Sequence, residues 1–378
     1  MGKSARNAEY TKEYNRKMFL RLLRSKPMSR AEIARQMGLT RSAASLIADE
    51  LLEAGIIAES STCETQRGRT PVPLVLRADA GCAVGVYLNR DGCTIGAVDF
   101  AGGVFAKRRI RLESGAPDGL NALAEEIKAI IRETNLPREK IIGVGVSAPG
   151  PLDGERGMII NPPRFDLWHN TEITGILSSA LDLPVYLENN ATSLAQYNLD
   201  KPEANGSRNF LLLLVDSGVG SGIIADGQAL KGAGSFTGEL GHVTINYRGK
   251  KCACGNRGCL EAYAAIPNLL EGTRFESWKQ VTDESDNESD ARDLIKLEAE
   301  YLASGIASMA NVISIDTVLL AGDLLYGSEK LIPAMEKGIN SRILRRNSIP
   351  VRVLPSCAGE DVNVKSAADI VFERYLAV

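Results

Sequence analysis

The sequence lacks the features that would place a protein in a membrane or outside the cell. Its longest purely aliphatic run, Leu211 to Val215, is far shorter than the ~20 residues that span a bilayer. The N-terminal region contains no apolar segment of the signal-peptide type. The seven cysteines are an odd number, which disfavours a framework of paired disulfides. We therefore expect a cytoplasmic globular protein with reduced thiols.

Acidic and basic side chains nearly cancel over the whole chain, with 44 Lys and Arg against 47 Asp and Glu. The balance is uneven, because residues 1–80 carry 14 basic and 9 acidic side chains, a net charge of +5, and residues 81–378 carry −8. A basic segment attached to an acidic remainder favours nucleic-acid binding by that segment. A solvated basic surface without a partner explains the same count, so local motifs have to decide.

Helix signals follow one another closely in the basic segment. Apolar residues at helical spacing predict a helix over 14–26. A capping box of Ser29 and Glu32 starts a second helix that ends at Gly38, and Thr40 starts a third. Two helices joined by a short turn are typical of a helix-turn-helix rather than of an arbitrary three-helix subdomain. The residues predicted to read bases, near the start of the third helix, are Arg41, Ser42 and Ser45. The apolar face expected on that helix consists of Ala43, Leu46, Ile47, Leu51 and Leu52.

A second DNA contact is predicted where two β-type segments flank a basic tip. These segments are residues 56–58 and 73–76, and the chain between them contains Gln-Arg-Gly-Arg-Thr-Pro. Strand, basic tip and strand in this order are typical of a wing. Arg67 and Arg69 can enter the minor groove of A·T-rich DNA, where the negative potential is enhanced. Residues 1–80 are therefore predicted to form a winged helix-turn-helix domain that binds DNA.

After residue 80 the pattern changes to short strands alternating with helices. A three-stranded meander is predicted over 82–112, followed by alternating helix and strand, and the order is repeated from residue 210. Such a repeat is typical of an α/β protein with two lobes. We predict an N-terminal lobe over 81–205 and a C-terminal lobe over 206–378.

Three of the cysteines lie close together, and one of the chain's two histidines precedes them. His242, Cys252, Cys254 and Cys259 form the pattern H-x9-C-x-C-x4-C. Three thiolates and one imidazole suit a tetrahedral Zn²⁺. Because protein would fill all four positions, no position stays open for a catalytic water, and a structural zinc is predicted. The alternative is a coincidental cysteine-rich loop.

Two neighbouring motifs in this region carry a resemblance to a known family. They are the sequence Glu-Leu-Gly-His that ends at His242, and CACGNRGCLE from Cys252 to Glu261. Together they resemble the signature of the ROK family of repressors and sugar kinases, and the resemblance covers nearly the whole chain. It implies an actin-like (ribonuclease H-like), two-lobed sugar-kinase fold. The N-terminal winged helix-turn-helix resembles that of the family's repressors, since the kinases generally lack it.

The resemblance also implies a sugar in the cleft between the lobes. By position, the side chains that would hold it are Asn189, Asn190, Glu239, His242 and Glu261. Carboxylates suit this role because they accept strong hydrogen bonds from hydroxyl groups. His242 would serve both sites, with one ring nitrogen on the metal and the other towards the sugar. For Glu239 and Glu261, support of the metal site or a place in a surface loop is the alternative.

The chain departs from the family's kinases at positions that carry phosphoryl transfer. The kinases have an Asp as general base where this chain has Asn190. A neutral amide cannot take the proton, so the ~10²–10⁴-fold contribution of general base catalysis is lost. The kinases' Asp-x-Gly-Gly-Thr phosphate turn is matched by Tyr87 to Asp91, which keeps neither glycine nor the first Asp. These losses together predict that kinase activity is absent.

The sequence thus predicts a sugar-responsive transcriptional repressor of carbohydrate metabolism. It would bind palindromic operator DNA as a homodimer or homotetramer, and a sugar or sugar phosphate would shift its equilibrium between two lobe arrangements. Two alternatives remain at this point. One is an active ATP-dependent sugar kinase fused to a DNA-binding domain, and the other is a DNA-binding protein whose cleft has no ligand.

Overall fold

The computed structural model describes residues 8–60, 72–90, 92–112, 114–115, 117–232, 236–345 and 347–376. An N-terminal helical domain is followed by two α/β lobes. Arg67 and Arg69, predicted to enter the minor groove, lie outside the described residues.

The N-terminal domain combines three helices with a small antiparallel sheet. The helices are α1 (Ala8–Ser25), α2 (Arg30–Met37) and α3 (Arg41–Glu53), and the strands are β1 (Met28–Ser29), β2 (Ile57–Glu59) and β3 (Pro73–Leu76). The sheet order is β1-β3-β2, with Ile57 opposite Leu76. This is the arrangement predicted for a winged helix-turn-helix, although α1 extends further towards the N-terminus than residue 14.

The ends of α2 and α3 lie where the sequence predicts them, because local hydrogen bonds make them. Ser29 Oγ accepts from the Glu32 backbone N–H at 3.3 Å, and the Glu32 carboxylate accepts from the Ser29 backbone N–H at 2.8 Å. Gly38 ends α2 with a φ of 64°, a conformation that glycine adopts without steric cost. Thr40 Oγ1 accepts from the backbone N–H of Ala43 at 3.2 Å and starts α3.

The buried face of α3 differs from the prediction. Its buried side chains are Ala44, Ala48 and Leu51. Leu46, expected in the core, is 63% exposed. The reason is tertiary, since Ala48 and Leu51 share one hydrophobic core with Ile33 of α2. The helix is therefore turned so that Ala44 and Ala48, rather than Leu46, face the domain.

Each lobe contains one five-stranded sheet. The first is built from β4 (Cys82–Asn89), β5 (Gly92–Asp99), β6 (Val104–Ile110), β7 (Ile141–Ala148) and β11 (Val185–Asn189). The second is built from β12 (Phe210–Val215), β13 (Val219–Ala225), β14 (Gln228–Ala229), β15 (Thr317–Gly322) and β16 (Arg352–Pro355). Three further short strands, β8 (Leu152–Asp153), β9 (Met158–Ile159) and β10 (Thr171–Glu172), form a separate sheet.

The two large sheets have the same topology. Their orders are β11-β7-β4-β5-β6 and β14-β13-β12-β15-β16. In each, a meander of three antiparallel strands is extended by two strands parallel to its first strand. The predicted two-lobed fold with a repeated order of elements is confirmed.

Helices cover these sheets. Helices α4 (Asp118–Glu133) and α5 (Ile173–Leu181) share the core of the first sheet, whereas α6 (Asn190–Asn198) packs against β12 and β13 of the second sheet. The following segment contains α7 (Glu261–Ala264), α8 (Ile266–Leu270), α9 (Trp278–Glu284), α10 (Ser289–Val312), α11 (Ser328–Arg342) and finally α12 (Val362–Tyr375).

The last helix, α12, packs on the first lobe although it follows the second in sequence. A Cβ on Gly85 would lie 2.0 Å from the carbonyl oxygen of Val364, and one on Gly145 would lie 2.0 Å from that of Ala367. The helix thus rests directly on the backbones of β4 and β7. The predicted C-terminal lobe over 206–378 needs this correction, while the boundaries at residues 80 and 205 stay predictions.

The N-terminal domain is attached to the first lobe through α12. Phe19 of α1 shares a hydrophobic core with Phe372 of α12, and the Arg24 guanidinium lies 4.0 Å from the centre of the Phe372 ring. Arg24 also pairs with Asp369 on the same helix. Since α12 also contacts α6, this one helix touches both the N-terminal domain and a helix that begins between the two lobes.

Candidate functional site

The outer surface of α3 carries three of the residues predicted to read bases. Arg41 and Ser42 are exposed and Ser45 is half-buried, all near the start of the helix. Ser42 Oγ lies 3.1 Å from Thr40 Oγ1, so the cap of the helix orients this hydroxyl. Recognition helices contact base edges through residues near their N-terminus. Their role in DNA reading stays a prediction, supported by this exposure.

Leu46 is a candidate that the sequence reasoning missed. It follows Ser42 by one helical turn and is exposed on the same helix. An exposed apolar side chain at this place can contact the methyl group of thymine in the major groove. The sequence signal for the buried face was the pair Ala44 and Ala48. Small side chains one turn apart favour close packing of a helix on its neighbours, which leaves Leu46 on the outer face.

A cleft of about 620 Å³ lies between the two lobes. All the residues predicted to hold a sugar line it, namely Asn189, Asn190, Glu239, His242 and Glu261. They come from three segments: the end of β11 and start of α6, a turn of 3-10 helix near residue 240, and the start of α7. The fold therefore brings the predicted set to one place, and their binding roles stay predictions.

The two amide atoms of Asn189 have different roles, since Oδ1 caps a helix and Nδ2 faces the cleft. Its Oδ1 accepts from the backbone N–H groups of Ala191 at 2.9 Å and Thr192 at 3.4 Å, which caps α6. A Cβ on Gly150 would lie 2.7 Å from Asn189 Nδ2 and 2.7 Å from Glu239 Oε1. The absence of a side chain at Gly150 thus leaves space into which an amide donor and a carboxylate acceptor converge.

Asn190 is held by the protein on both sides of its amide. Ser147 Oγ donates to Oδ1 at 2.7 Å, and Nδ2 donates to the backbone oxygen of Leu88 at 2.9 Å. A carbonyl oxygen only accepts, so the NH₂ group must face Leu88. One N–H and one lone pair of this amide remain for a ligand. Asn190 therefore has a structural role in addition to its predicted place in the site.

Glu239 is positioned by backbone contacts that only glycine allows. A Cβ on Gly238 would lie 2.0 Å from the carbonyl oxygen of Ser221, and one on Gly241 would lie 2.1 Å from that of Val219. The turn that carries Glu239 thus lies flat on β13. Burial raises the pKa of the Glu239 carboxyl. A partly desolvated carboxylate is a strong acceptor for a hydroxyl group.

Glu261 is buried and meets a cation from the opposite lobe. Its Oε2 accepts from the backbone N–H of Val219 at 3.1 Å and lies 3.8 Å from Arg90 Nη2. Arg90 also donates from Nη1 to the carbonyl oxygen of Ser217 at 2.7 Å, so its side chain crosses the cleft. A Cβ on Gly218 would lie 2.4 Å from Arg90 Nη1, which shows how closely the guanidinium approaches. Arg90 is a site residue that the sequence reasoning noted only as a lost glycine.

The cysteine–histidine cluster lies beside the cleft and can hold a metal ion. One ligand atom from each of His242, Cys252, Cys254 and Cys259 lies within 4.8 Å of the others. His242 Nδ1 is 3.7 Å from Cys252 Sγ, and Cys254 Sγ is 3.7 Å from Cys259 Sγ. Burial raises the pKa of the Cys259 thiol to about 12. A cation is therefore needed to hold this group as a thiolate near neutral pH.

Backbone contacts shape the loop that carries the thiols. The Cys252 backbone N–H donates to the carbonyl oxygen of Asn256 at 2.9 Å. Gly258 has a φ of 70°, and a Cβ there would lie 1.7 Å from the carbonyl oxygen of Asn246. Glu261 follows Cys259 by two residues and Glu239 precedes His242 by three. Each of these two glutamates is therefore close in sequence to one ligand of the cluster.

The far side of the cleft carries acidic side chains. The glycine-rich segment 216–222 forms the hairpin turn after β12 and the first four residues of β13. A neighbouring cavity of about 1290 Å³ is lined by Asp216 and Asp323, and Arg109 is the only cation among its described lining residues. Burial, with the negative charge of both aspartates, raises the pKa of the Tyr87 phenol, which therefore stays protonated. Two carboxylates at this place repel a triphosphate unless a bound cation offsets their charge.

The sequence profile of the ROK family matches residues 83–374, most of the chain. The chain therefore belongs to the ROK family.

Relatives within the family match this chain along nearly its full length. The xylose repressor of Bacillus subtilis (strain 168) is 26% identical over 374 residues, which cover 97% of each chain. The DNA-binding transcriptional dual regulator NagC of Escherichia coli (strain K12) is 27% identical over 365 residues, covering 91% of this chain and 89% of NagC.

Solved structures agree with these matches. A ROK family transcriptional regulator, described as a homologue of the E. coli MLC protein, superposes with a TM-score of 0.79 at 25% identity and covers 97% of this chain and 96% of its own. The ROK hexokinase of Thermus thermophilus has a TM-score of 0.62 at 26% identity, and covers 76% of this chain but 96% of its own. The hexokinase thus lacks about a quarter of this chain, whereas the regulator matches it throughout. Within the described part of the chain, no helix has both the length and the apolarity needed to cross a membrane.

Proposed function

We propose that this protein is a sugar-responsive repressor of carbohydrate-metabolism genes, which binds operator DNA through its N-terminal domain and a sugar in its cleft. One combination carries the proposal: a chain similar over nearly its full length to named repressors has an exposed recognition helix and a cleft lined by hydroxyl-binding side chains. The relatives' names, a xylose repressor and an N-acetylglucosamine repressor, support an effector of monosaccharide size.

In the cleft, Glu239 and Glu261 accept hydrogen bonds from sugar hydroxyls, and Asn189 Nδ2 donates one. His242 contributes through Nε2, because its Nδ1 faces Cys252. Glu239 lies on a turn that is packed closely on β13, and Asn189 is fixed because it caps α6. Such rigidity lowers the entropy lost on binding and favours selection between sugars that differ at one hydroxyl.

The protein has no kinase activity in this proposal. Asn190 supplies no base, and its NH₂ group is engaged with the carbonyl of Leu88. Arg90 fills space at the turn where the kinases hold phosphate. The two relatives that match nearly the full chain are named a repressor and a transcriptional dual regulator, which supports a regulator rather than an enzyme.

The metal in the cysteine–histidine cluster is a structural Zn²⁺. A tetrahedral site with Zn–S bonds of ~2.3 Å has sulfur–sulfur edges of ~3.8 Å, and the Cys254–Cys259 separation of 3.7 Å fits this value. His242, Cys252, Cys254 and Cys259 would supply all four ligands of a tetrahedral ion, which would leave no position for water. Its chemistry when bound is to hold three thiolates and one imidazole together, and the ordered loop then places Glu239 and Glu261 in the cleft.

DNA binding requires two copies of the chain. One recognition helix contacts a few base pairs, and specific operators are usually read by dimers at half-sites ~34–36 Å apart. The charge of residues 1–80 is modest at +5, so non-specific attraction to phosphates is weak and two-fold symmetry supplies much of the specificity.

The route from cleft to DNA runs through α6, α12 and α1. Asn189 caps α6 at the cleft, α6 contacts α12, and α12 holds Arg24 of α1 through Asp369 and Phe372. A sugar that binds one lobe arrangement more tightly shifts the population towards it. Movement of α12 then changes the spacing of the two recognition helices.

The test is an electrophoretic mobility shift on DNA that the protein itself selects from a random library. Neutral and phosphorylated monosaccharides are titrated, and at least one is expected to weaken the DNA complex. Glu239→Gln and Glu261→Gln should respond less, and Glu300→Gln, at an exposed position on α10, serves as the matched control. If no sugar alters DNA affinity, the proposal fails; if both cleft variants respond like the unaltered protein, the cleft is not the sensor.

The same variants separate the remaining functions. A ligand-free cleft predicts that Glu239→Gln and Glu261→Gln leave DNA regulation intact. An active kinase predicts release of ADP from ATP that depends on an added sugar, and no contact of the described residues favours it.

A further inference from the structure

A second cavity, which we call the annex, opens beside the cleft. It measures about 1050 Å³, and Asn89 and Arg90 line both cavities. Its apolar wall includes Phe165 and Trp168, whose rings stack at 6.0 Å. A ligand whose hydroxyls lie in the cleft can therefore extend a substituent past Arg90 into the annex.

Three arginines line the annex: Arg90, Arg111 and Arg164. The one acidic side chain among its described lining residues, Asp166, lies 3.5 Å from His169. Among the described residues, no carboxylate lies within 4.0 Å of the guanidinium of Arg111 or Arg164. Among its described lining residues, the annex thus has three arginines against one aspartate, an excess of positive charge.

The loop that carries Arg164 is held in an unusual conformation. Arg164 has a φ of 59°, the left-handed region that long side chains rarely adopt. The carbonyl oxygen of Pro163 accepts from Arg90 Nε at 3.2 Å, and Arg164 Nη2 lies 3.4 Å from Asn268 Oδ1 across the cleft. Arg90 and Arg164 are therefore positioned by hydrogen bonds to other segments of the chain.

The neighbouring cleft has the opposite charge. Asp216, Glu239 and Glu261 line it, and Arg90 stands at its boundary with the annex. The side chain of Arg90 is only 16% exposed, and the carboxylate of Glu261 is 3.8 Å from its Nη2. Asn190 lies where the cleft meets the annex, because its Nδ2 donates to the carbonyl of Leu88, a residue of the annex wall. Since its amide is neutral, it adds no negative charge there.

The separation of charge selects a ligand with two unlike ends. We infer that the effector is a sugar carrying an anionic substituent, a phosphate ester or a carboxylate, whose hydroxyls bind in the acidic cleft and whose anion binds Arg90, Arg111 and Arg164 in the annex. Guanidinium groups pair with both anions through parallel N–H donors. The inference rests on the proposed sugar-binding function and deepens it.

The experiment compares matched ligands by isothermal titration calorimetry on the full-length protein. Glucose is compared with glucose 6-phosphate and glucuronate, N-acetylglucosamine with its 6-phosphate, and xylose with its 5-phosphate. In at least one set the anionic ligand should bind about 10- to 100-fold more tightly than its neutral parent, as charge-assisted hydrogen bonds provide. The preference should shrink as salt is raised. The phosphate and carboxylate arms show which anion the annex takes.

Variants then assign the preference to the annex. In Arg111→Gln and Arg164→Gln the ratio of anionic to neutral affinity should fall towards one. Arg132→Gln, an exposed arginine on α4, is the matched control and should keep the ratio. Inorganic phosphate serves as the isolated anion, and it should compete with the anionic sugar but not with its neutral parent.

The outcomes separate this inference from the proposed function. If neutral sugars bind as tightly as their anionic forms and still weaken the DNA complex, the annex inference is overturned and the repressor proposal stands. An unchanged ratio in both annex variants also overturns it. If no sugar of either kind binds, both are overturned.

Discussion

Asn190→Asp tests whether the loss of the kinase base is the only change that separates this cleft from a kinase. The residue is buried, and its Nδ2 donates to the carbonyl oxygen of Leu88 at 2.9 Å. A carboxylate has no hydrogen to donate, so it would place a negative charge against that carbonyl. The Ser147 hydroxyl can still donate to the new group.

The stability cost follows from this geometry. One hydrogen bond worth about 1 kcal/mol is lost, and a buried carbonyl left without a donor costs a further ~1–3 kcal/mol. We therefore expect Asn190→Asp to lower the free energy of unfolding by about 2–4 kcal/mol at pH 8. Burial raises the pKa of the new carboxyl above its unfolded value of ~3.9, and the protonated form can donate to Leu88. The cost is thus complete above the folded pKa and shrinks as pH falls towards 5.

Urea denaturation at pH 5 and pH 8 measures this cost. Asn198→Asp is the matched control, because Asn198 lies buried on the same helix and donates to the carbonyl of Leu194 at 2.9 Å. Both variants should lose stability with the same pH dependence. Asn190→Asp should change sugar binding more than Asn198→Asp, since only Asn190 lines the cleft.

Two results would refute the reasoning. If Asn190→Asp is as stable as the unaltered protein at pH 8, the Leu88 contact does not select an amide at this position. If Asn190→Asp hydrolyses ATP in a sugar-dependent way, the cleft still binds a nucleotide. That result would contradict the roles assigned to Arg90, Asp216 and Asp323.

Three further predictions concern the metal loop and the DNA surface. Gly258→Ala should lower both Tm and sugar affinity, because its Cβ would lie 1.7 Å from a backbone oxygen; differential scanning fluorimetry and calorimetry measure these. Zinc affinity, measured with a chelating dye, should fall as pH is lowered from 8 to 6, since thiols such as Cys259 must lose a proton to bind. Leu46→Ala should weaken binding to selected DNA by about 1 kcal/mol and relax preference for thymine at one position, as site selection would reveal.

Matched variants keep these results interpretable. Gly255 also has a positive φ, 94°, but a Cβ there meets nothing within 4 Å, so Gly255→Ala carries the backbone strain without the clash. Equal loss in both glycine variants would contradict the packing argument. Leu297→Ala removes a partly exposed leucine from α10 and should leave DNA binding unchanged. A pH-independent zinc affinity would mean that the thiols are already ionised before the metal binds.

The parts of the fold that local chemistry makes could be predicted from the sequence. The capping box at Ser29, the turn at Gly38 and the cap at Thr40 depend on residues within four positions of one another. The cysteine–histidine spacing likewise lies within one short segment, and the structure gathers its four ligand atoms. Leu46 was assigned to the wrong face because burial depends on which surface of α3 its neighbours cover.

The sequence by itself determined the parts of this protein: a basic N-terminal segment, two repeated α/β lobes, a closely spaced set of three cysteines and a histidine, and an amide where the family's kinases have an acid. Only the tertiary structure decided how these parts act on one another. Arg90 reaches Ser217 and Glu261 across the cleft, and α12 returns from the end of the chain to the first lobe. Such contacts join residues far apart in sequence, and their energies depend on distances that no local pattern encodes.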